Sequence, residues 1–147
     1  MRPHPGVILI VSLVAAAALE AEVPASRDIP FAVRLGSAGI LMSISAANLI
    51  WGLQTLNRAN TPSEPNQEPR TIVTTGPFRY SRNPMYVSLL GCSIAWTCLV
   101  ASAWFGVATV AVFLLLNFAV IPHEEAALKR NFPHVFAEWA RHTRRWV

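Results

Sequence analysis

Long apolar runs separated by short polar segments make up most of the chain. The apolar runs cover residues 7–19, 31–56 and 85–121, and charged residues collect between them and after the last one. A hydrocarbon core of about 30 Å needs roughly 20 helical residues at about 1.5 Å each. The run 31–56 is therefore long enough to cross a membrane, whereas 7–19 covers only about 20 Å. The pattern predicts membrane-spanning helices rather than a soluble domain.

The third run must fold back on itself. It has no charged residue over 37 positions, and a single helix of that length would measure roughly 55 Å. Small and interfacial residues over 101–106 interrupt it, and Trp104 among them is typical of a membrane interface. We therefore predict a helical hairpin over 85–121. With 7–19 and 31–56, this gives an all-α bundle of about four transmembrane helices.

The first run has two interpretations. Arg2 precedes it and alanines crowd its end, an arrangement that also occurs in cleaved secretory signals. We prefer a short retained helix over 7–19, with the cleaved signal as the alternative. In either case the remaining helices keep the same predicted orientation.

Small residues form a stripe in the second run. Gly39, Ser43 and Ala47 recur every fourth residue, so a helix over 31–56 would carry them on one face. Small residues let two helix backbones approach closely inside a membrane. The stripe therefore predicts a packing face.

Composition and charge narrow the class of protein. The 147 residues are 53% hydrophobic and only 14% charged, as in an integral membrane protein, and the length fits one domain over 1–147. The net charge of +4 could indicate nucleic acid, but the basic residues flank apolar runs and form no single stripe. Anionic lipid headgroups are therefore the expected partners, and nucleic acid is not.

The positions of Arg and Lys predict an orientation. Ten of the twelve fall before the first run, in the linker and site loop over 57–84, or in the tail over 122–147. Only Arg27 and Arg34 fall near the opposite face. By the positive-inside rule, both termini and the site loop face the cytoplasm in a multi-pass protein, which we expect in a prokaryotic inner membrane.

A polar segment with two arginines directly precedes the third run. Residues 75–86 read Thr-Gly-Pro-Phe-Arg-Tyr-Ser-Arg-Asn-Pro-Met-Tyr. Pro77 and Pro84 disfavour helical geometry in the residue before each of them. We therefore expect an extended or turned segment and then a helix with Pro84 as its first residue. This arrangement holds Arg79 and Arg82 at the membrane surface.

Two separated motifs resemble those of a family of membrane enzymes. The segment 75–86 and the pair Glu124-Glu125 are similar to the signature of the isoprenylcysteine carboxyl methyltransferase and phospholipid methyltransferase group. That signature looks like Gly-Pro-aromatic-Arg-Tyr-x-Arg-His/Asn-Pro-x-Tyr, followed after two membrane spans by Glu-Glu and an aromatic, basic tail. The likeness covers about residues 57–146. Asn83 stands where many members carry His, and the Gly-x-Gly of the phospholipid branch is not reproduced after Tyr86.

The resemblance implies a methyltransferase that uses S-adenosylmethionine. Arg matches the cofactor's carboxylate bidentately, Glu accepts from its ammonium or hydroxyl groups, and Tyr suits the sulfonium or the adenine. Catalysis is expected from Arg82 and Glu124, and substrate binding from Asn117 and Trp139. The cofactor is expected to contact seven residues, Arg79, Tyr80, Asn83, Pro84, Tyr86, Glu124 and Glu125. The same side chains also fit structural roles as helix cap, membrane anchors and interfacial aromatics.

The expected acceptor is a lipophilic molecule that reaches the site from the bilayer. Carboxylate O-methylation of an isoprenylcysteine-like substrate is preferred, because a carboxylate is already ionised near neutral pH. N-methylation of an amine or a phospholipid is the other possibility, and it would need Glu124 or His123 as the base. A non-catalytic membrane scaffold or lipid-binding module is an alternative function, and an NADPH-dependent membrane reductase is a further one. No Cys or His spacing indicates a metal.

The tail is predicted to form an amphipathic helix. Phe132, Val135, Phe136 and Trp139 fall at helical spacing, and basic residues follow them. Such a helix would lie on the cytoplasmic leaflet or cover the pocket. The complete prediction is an all-α integral membrane bundle with a C-terminal amphipathic cytoplasmic helix.

Cysteine labelling tests the predicted orientation. In a chain whose Cys92 and Cys98 are replaced by Ala, a cysteine at Ser63 should react with a membrane-impermeant maleimide from the cytoplasmic side. A cysteine at Ser102 should react only from the opposite side, because the basic residues lie inside. Labelling of intact cells and of inverted vesicles measures both, and the reverse pattern would exclude the orientation.

Overall fold

The computed structural model describes residues 4–62 and 71–147, which form α-helices joined by short connections. Within these ranges there are two isolated β-bridges and no β-strand. A 3₁₀ turn over Gly76–Arg79 precedes the third helix, and a π-helical turn over Leu116–Val120 joins the fourth helix to the fifth. The helices are α1 (Pro5–Glu22), α2 (Phe31–Arg58), α3 (Pro84–Val100), α4 (Ala103–Leu115), α5 (Ile121–Asn131) and α6 (Pro133–His142).

The prediction of an all-α membrane bundle is confirmed. By length and composition, α1, α2 and the continuous helix Ala103–Asn131 can each cross a membrane, and α3 is an apolar helix of 17 residues. The pairs in closest contact are α2 with α3, α1 with α4, and α3 with α4. The bundle is therefore built around the hairpin of α3 and α4, with one N-terminal helix packed on each arm.

The turn of this hairpin is tight. Ala101 adopts a left-handed conformation (φ 56°) that ends α3, and the hydroxyl of Ser102 accepts from the Trp104 backbone N–H at 3.2 Å, which caps α4. Because the cap follows the turn at once, the rest of the segment predicted as the turn, 103–106, belongs to α4. The helix also continues past residue 121, the predicted end of the hairpin. The π-helical turn lies just before Pro122, which has no N–H to donate to a regular helix.

The predicted packing stripe on α2 lies on the wrong face. Gly39, Ser43 and Ala47 are exposed, and a Cβ added at Gly39 would meet nothing within 4 Å. The buried small residues of α2 are instead Ala38, one position before Gly39, and Ser45, two positions after Ser43. The face of α2 toward α3 also includes Asn48, whose side chain donates to residues of α3. The stripe faces away from the bundle.

The far end of the bundle, opposite the start of α3, is closed by the loop between α1 and α2. The Arg27 N–H donates to the Ala101 carbonyl at 2.8 Å, and the Trp104 indole N–H donates to the Val23 carbonyl at 2.8 Å. Arg34 donates to the carbonyls of Leu99 and Val100 at the end of α3. Because the last carbonyls of a helix have no partner within it, they accept from Arg34 and hold it against α3.

The packing of this end determines which positions a maleimide can reach. Ser102 is 2% exposed and donates to the Glu20 carboxylate, so a cysteine there would be shielded from a maleimide. Asp28, in the same loop system, is exposed and is the better probe for the far side. Ser63 lies outside the residues that the structure describes.

Asn48 fixes the start of α3 against α2. Its side-chain N–H₂ donates to the Pro84 carbonyl at 2.7 Å and to the Ser88 hydroxyl at 2.8 Å. Asn48→Ala should lower the free energy of unfolding by about 1–2 kcal/mol, because two acceptors lose their donor inside an apolar bundle. Thermal or denaturant unfolding in detergent measures this effect.

Ser43→Ala on the exposed face of the same helix is the matched control. It should change the free energy of unfolding by less than about 0.5 kcal/mol. Equal losses from both variants would show that Asn48 does not anchor α3.

Candidate active site

The polar segment 75–86 is folded against the end of α2. Gly76 has φ +60°, a conformation that favours glycine. A Cβ at position 76 would lie 2.5 Å from the hydroxyl oxygen of Thr55, so any other residue would collide with that threonine. Gly52 of α2 lies beside Pro77 and Met85. Gly76 therefore lets the segment lie directly on α2, and Pro84 then begins α3 as predicted.

The last five residues, Thr143–Val147, form a strap that holds this segment from the other side. The Arg82 backbone N–H donates to the Arg144 carbonyl at 2.9 Å, and the Asn83 side-chain N–H₂ donates to the Arg145 carbonyl at 3.0 Å. The Asn83 side chain makes no capping bond to α3, although Asn before Pro is a good cap in sequence terms. The side-chain amide of Asn83, a candidate helix cap in the sequence, therefore binds the strap instead of capping α3.

The amphipathic helix predicted for the tail is α6, and its apolar face packs on the site segment. Phe136 and Trp139 are buried in one cluster with Leu56, Val73 and Phe78. The Trp139 indole N–H donates to the Phe78 carbonyl at 3.0 Å. The helix therefore covers the site segment.

A cavity of about 440 Å³ lies at this end of the bundle. Seven of the ten predicted site residues line it, namely Arg82, Asn83, Pro84, Tyr86, Glu124, Glu125 and Trp139. Apolar wall is added by Leu49 and Leu56 of α2 and by Leu89 of α3. Pro5 and Gly6 of α1 and the preceding His4 also contribute. The hairpin brings together two segments that are about forty positions apart in sequence.

Three predicted site residues lie outside the described lining of the cavity. Arg79 is exposed, and Tyr80 is 63% exposed with its ring centroid 6.3 Å from that of Trp51. Asn117 accepts from the Trp146 indole N–H at 3.0 Å. In a regular helix Asn117 would share a face with Glu124, seven residues later, but Asn117 lies in the π-helical turn, which changes the helix register.

Tyr86 and Glu124 form the first polar contact in the cavity. The Tyr86 hydroxyl donates to the Glu124 carboxylate at 2.5 Å, joining the first turn of α3 to the first turn of α5. When a carboxylate accepts from a hydroxyl group at this distance, the charge shortens and strengthens the hydrogen bond. It holds the carboxylate of Glu124 at the cavity wall.

Glu125 forms the second polar contact, with two arginines. One oxygen lies 3.4 Å from a terminal nitrogen of Arg82, and Arg145 contacts both oxygens, at 2.7 Å and 3.3 Å. The side chains of Arg82 and Glu125 are only 16% and 15% exposed. The Arg82 guanidinium also lies 5.9 Å from the ring centroid of Phe136. A pair this buried needs such partners, because an uncompensated buried charge is costly.

Several of these residues carry no signal in the sequence. Arg145 looked like one more basic residue in the tail, and His4 preceded the shortest predicted helix, over 7–19. Neither hydropathy nor motif spacing relates the strap to Arg82, which lies 63 residues earlier than Arg145. A conserved pairing of charges between tail and motif would be the signal to look for, and it requires more than one sequence.

The bundle and its cavity define a class of protein, an integral membrane helical protein with a cavity lined by charged residues at one end of an apolar hairpin. The family model for phospholipid methyltransferase matches residues 33–134, more than half of the 147-residue chain. The chain belongs to this family, as the motifs predicted, and the family generally uses S-adenosylmethionine. No curated protein and no solved structure matches the chain significantly. Both α1 and the strap lie outside the matched residues.

Proposed function

We propose that this chain is an S-adenosylmethionine-dependent methyltransferase that acts at the membrane on a lipophilic acceptor. The observation that carries the proposal is the convergence of two family motifs on one cavity. Arg82, Asn83 and Tyr86 of the first motif line it together with Glu124 and Glu125 of the second. A non-catalytic scaffold gives no reason for these polar groups to meet in a cavity.

The cavity suits one cofactor-sized ligand. Its volume of about 440 Å³ is near the lower end of the range of about 300–1,000 Å³ for sites that enclose one small molecule. Among the described residues, the buried Nε of Arg82 has no hydrogen-bond partner. The incompletely paired guanidinium of Arg82, which lines the cavity, suits the carboxylate of S-adenosylmethionine, while Glu124 suits its ammonium or hydroxyl groups, and Tyr86 and Trp139 offer aromatic surface. Both oxygens of Glu125 already contact arginines, so we assign it to holding Arg82.

The protein has little acid-base chemistry to perform in such a reaction. The chemistry that bound S-adenosylmethionine supplies is a methyl group on a sulfonium, whose C–S bond breaks as the acceptor's lone pair forms the new bond, leaving S-adenosylhomocysteine. The residues of the cavity bind and orient the reactants and keep water out. A Ser, His and Asp set is therefore not required.

For the acceptor, we propose a carboxylate attached to a lipid chain, as in an isoprenylcysteine-like substrate. Since the cavity has the volume of one small molecule, the hydrocarbon of the acceptor would stay in the bilayer, and only its reacting end would reach the site. A carboxylate needs no base, and an arginine in the same cavity suits it.

An amine of a phospholipid is the second candidate acceptor, favoured by the description of the matched family model. An ammonium group must lose a proton before its nitrogen can form the new bond, and Glu124 at the cavity wall is the available acceptor for that proton. His123 was the other suggested base, but it is exposed and its ring contacts the Ala119 carbonyl at 2.6 Å. We therefore assign the role to Glu124 if the acceptor is an amine.

We also propose that the site end faces the cytoplasm. Six exposed basic residues of the described part of the chain lie at this end, namely Arg58, Arg79, Lys129, Arg130, Arg141 and Arg144. Such a concentration fits the positive-inside rule and attraction to anionic headgroups of the inner leaflet.

Ligand binding followed by methyl transfer tests the function. Detergent-solubilised protein should bind S-adenosylmethionine at equilibrium, with no saturable binding of NADPH. With a radiolabelled methyl group, label should enter an isoprenylcysteine-type carboxylate in vesicles, and transfer to phosphatidylethanolamine instead would select the amine acceptor. Binding of NADPH alone would indicate the reductase, and binding of neither would indicate the scaffold.

Arg82→Lys separates a ligand-binding arginine from a membrane anchor. An anchor needs only a positive charge on a long stem, whereas a bidentate ligand needs the planar guanidinium. We expect about tenfold weaker S-adenosylmethionine binding, equal to about 1.4 kcal/mol, with folding preserved. Isothermal titration measures the affinity.

The control is Arg58→Lys, at the exposed end of α2. It should leave the affinity within about twofold of the original value, because Arg58 is exposed and lies outside the described lining of the cavity. Equal, negligible effects from both substitutions would show that Arg82 is an anchor.

A further inference from the structure

Glu125 is shared unequally between its two arginines. Arg145 approaches it with two nitrogens, at 2.7 Å and 3.3 Å, whereas Arg82 makes a single contact at 3.4 Å. Two-point pairing of a guanidinium with a carboxylate is stronger and more directional than a single long contact. Most of the pairing capacity of Glu125 is therefore used by Arg145.

Arg82 is left buried and incompletely paired as a result. Its Nε has no hydrogen-bond partner among the described residues, and its side chain is 16% exposed and lines the cavity. Two guanidinium groups and one carboxylate give these three residues one net positive charge, beside the Glu124 carboxyl group in the same cavity. A ligand carboxylate paired with Arg82 would cancel the charge of the three residues.

We propose that Arg145 is a positioning residue that keeps Arg82 available for an anionic ligand. By taking both oxygens of Glu125, the strap arginine prevents Glu125 from pairing bidentately with Arg82. The cluster keeps its net positive charge at the cavity, where it attracts a carboxylate group. The identity of that ligand as S-adenosylmethionine rests on the proposed function.

The strap has other anchors, so this role is separable from holding the tail in place. The Trp146 indole N–H donates to Asn117, and its ring centroid is 5.2 Å from that of Phe113. The carbonyls of Arg144 and Arg145 accept from the site segment through the backbone, independently of their side chains. Removing only the guanidinium of Arg145 therefore leaves these contacts of the strap intact.

Variants that change the charge of this cluster distinguish a positioning role of Arg145 from a purely structural one. Arg145→Gln leaves one cation and one anion, so Glu125 can close on Arg82, whereas the double variant Glu125→Gln/Arg145→Gln restores one net positive charge. We expect Arg145→Gln to weaken S-adenosylmethionine binding about tenfold, or about 1.4 kcal/mol, and the double variant to recover most of the loss. Arg144→Gln removes the same charge from an exposed neighbour and should change the affinity less than about twofold.

The alternatives give different results in the same titrations. If Arg145 serves only to dock the strap, the double variant stays as weak as Arg145→Gln or becomes weaker, and the inference is overturned. If Arg144→Gln weakens binding as much as Arg145→Gln, general attraction by the basic tail explains the effect and the inference also fails. Unchanged binding by Arg145→Gln would overturn it directly.

A measurement without ligand decides the inference even if S-adenosylmethionine does not bind. Phenylglyoxal modifies guanidinium groups, and peptide mass spectrometry gives the rate at each arginine. Arg82 should react more slowly in Arg145→Gln than in the original chain, and the double variant should restore its rate. Failure of the original chain to bind S-adenosylmethionine would refute the proposed cofactor, whereas an unchanged rate at Arg82 would refute the role of Arg145.

Discussion

The buried carboxylate of Glu125 joins three distant parts of the chain. It lies on α5, contacts Arg82 from the segment before α3, and contacts Arg145 from the strap. Charged groups this poorly exposed are stable only when each has a partner, so none of the three segments can leave the cluster without a large cost. The site end of the bundle is therefore held by this ion cluster together with the apolar cluster under α6 and the backbone hydrogen bond of the strap.

The rest of the fold positions α3 for this cluster by polar contacts along its length. Asn48 bonds the start of α3, and Arg34 bonds its last carbonyls. Midway along, the hydroxyl of Ser93 lies 2.7 Å from that of Thr109 on α4, and Ser93 is fully buried. Hydrophobic attraction between helices is weak inside lipid, so hydrogen bonds and close packing determine how helices align. These contacts set the register that places Tyr86 beside Glu124.

Hydropathy and charge were sufficient to predict the helices and the meeting of the two motifs. A long uncharged run must return, and a returning helix brings residue 124 back to the level of residue 86. Periodicity could not show which helix face is buried. The small stripe of α2 and the buried face beside it both carry small residues, and only the partners of Asn48 distinguish them. Asn117 was misplaced because a π-helical turn leaves no clear mark in a sequence.

The strap was beyond prediction for a different reason. Basic residues at the end of a membrane protein normally indicate contact with headgroups, and Arg141 and Arg144 do remain exposed. Arg145 differs from them only because the backbone of the strap pairs with residues 81–83 and carries its side chain to Glu125. That pairing connects positions more than sixty residues apart. The arginine that the motif places in the cavity wall thus contacts a cluster completed by a tail that the motif itself does not include, since the residues matched by the family model end before the strap begins.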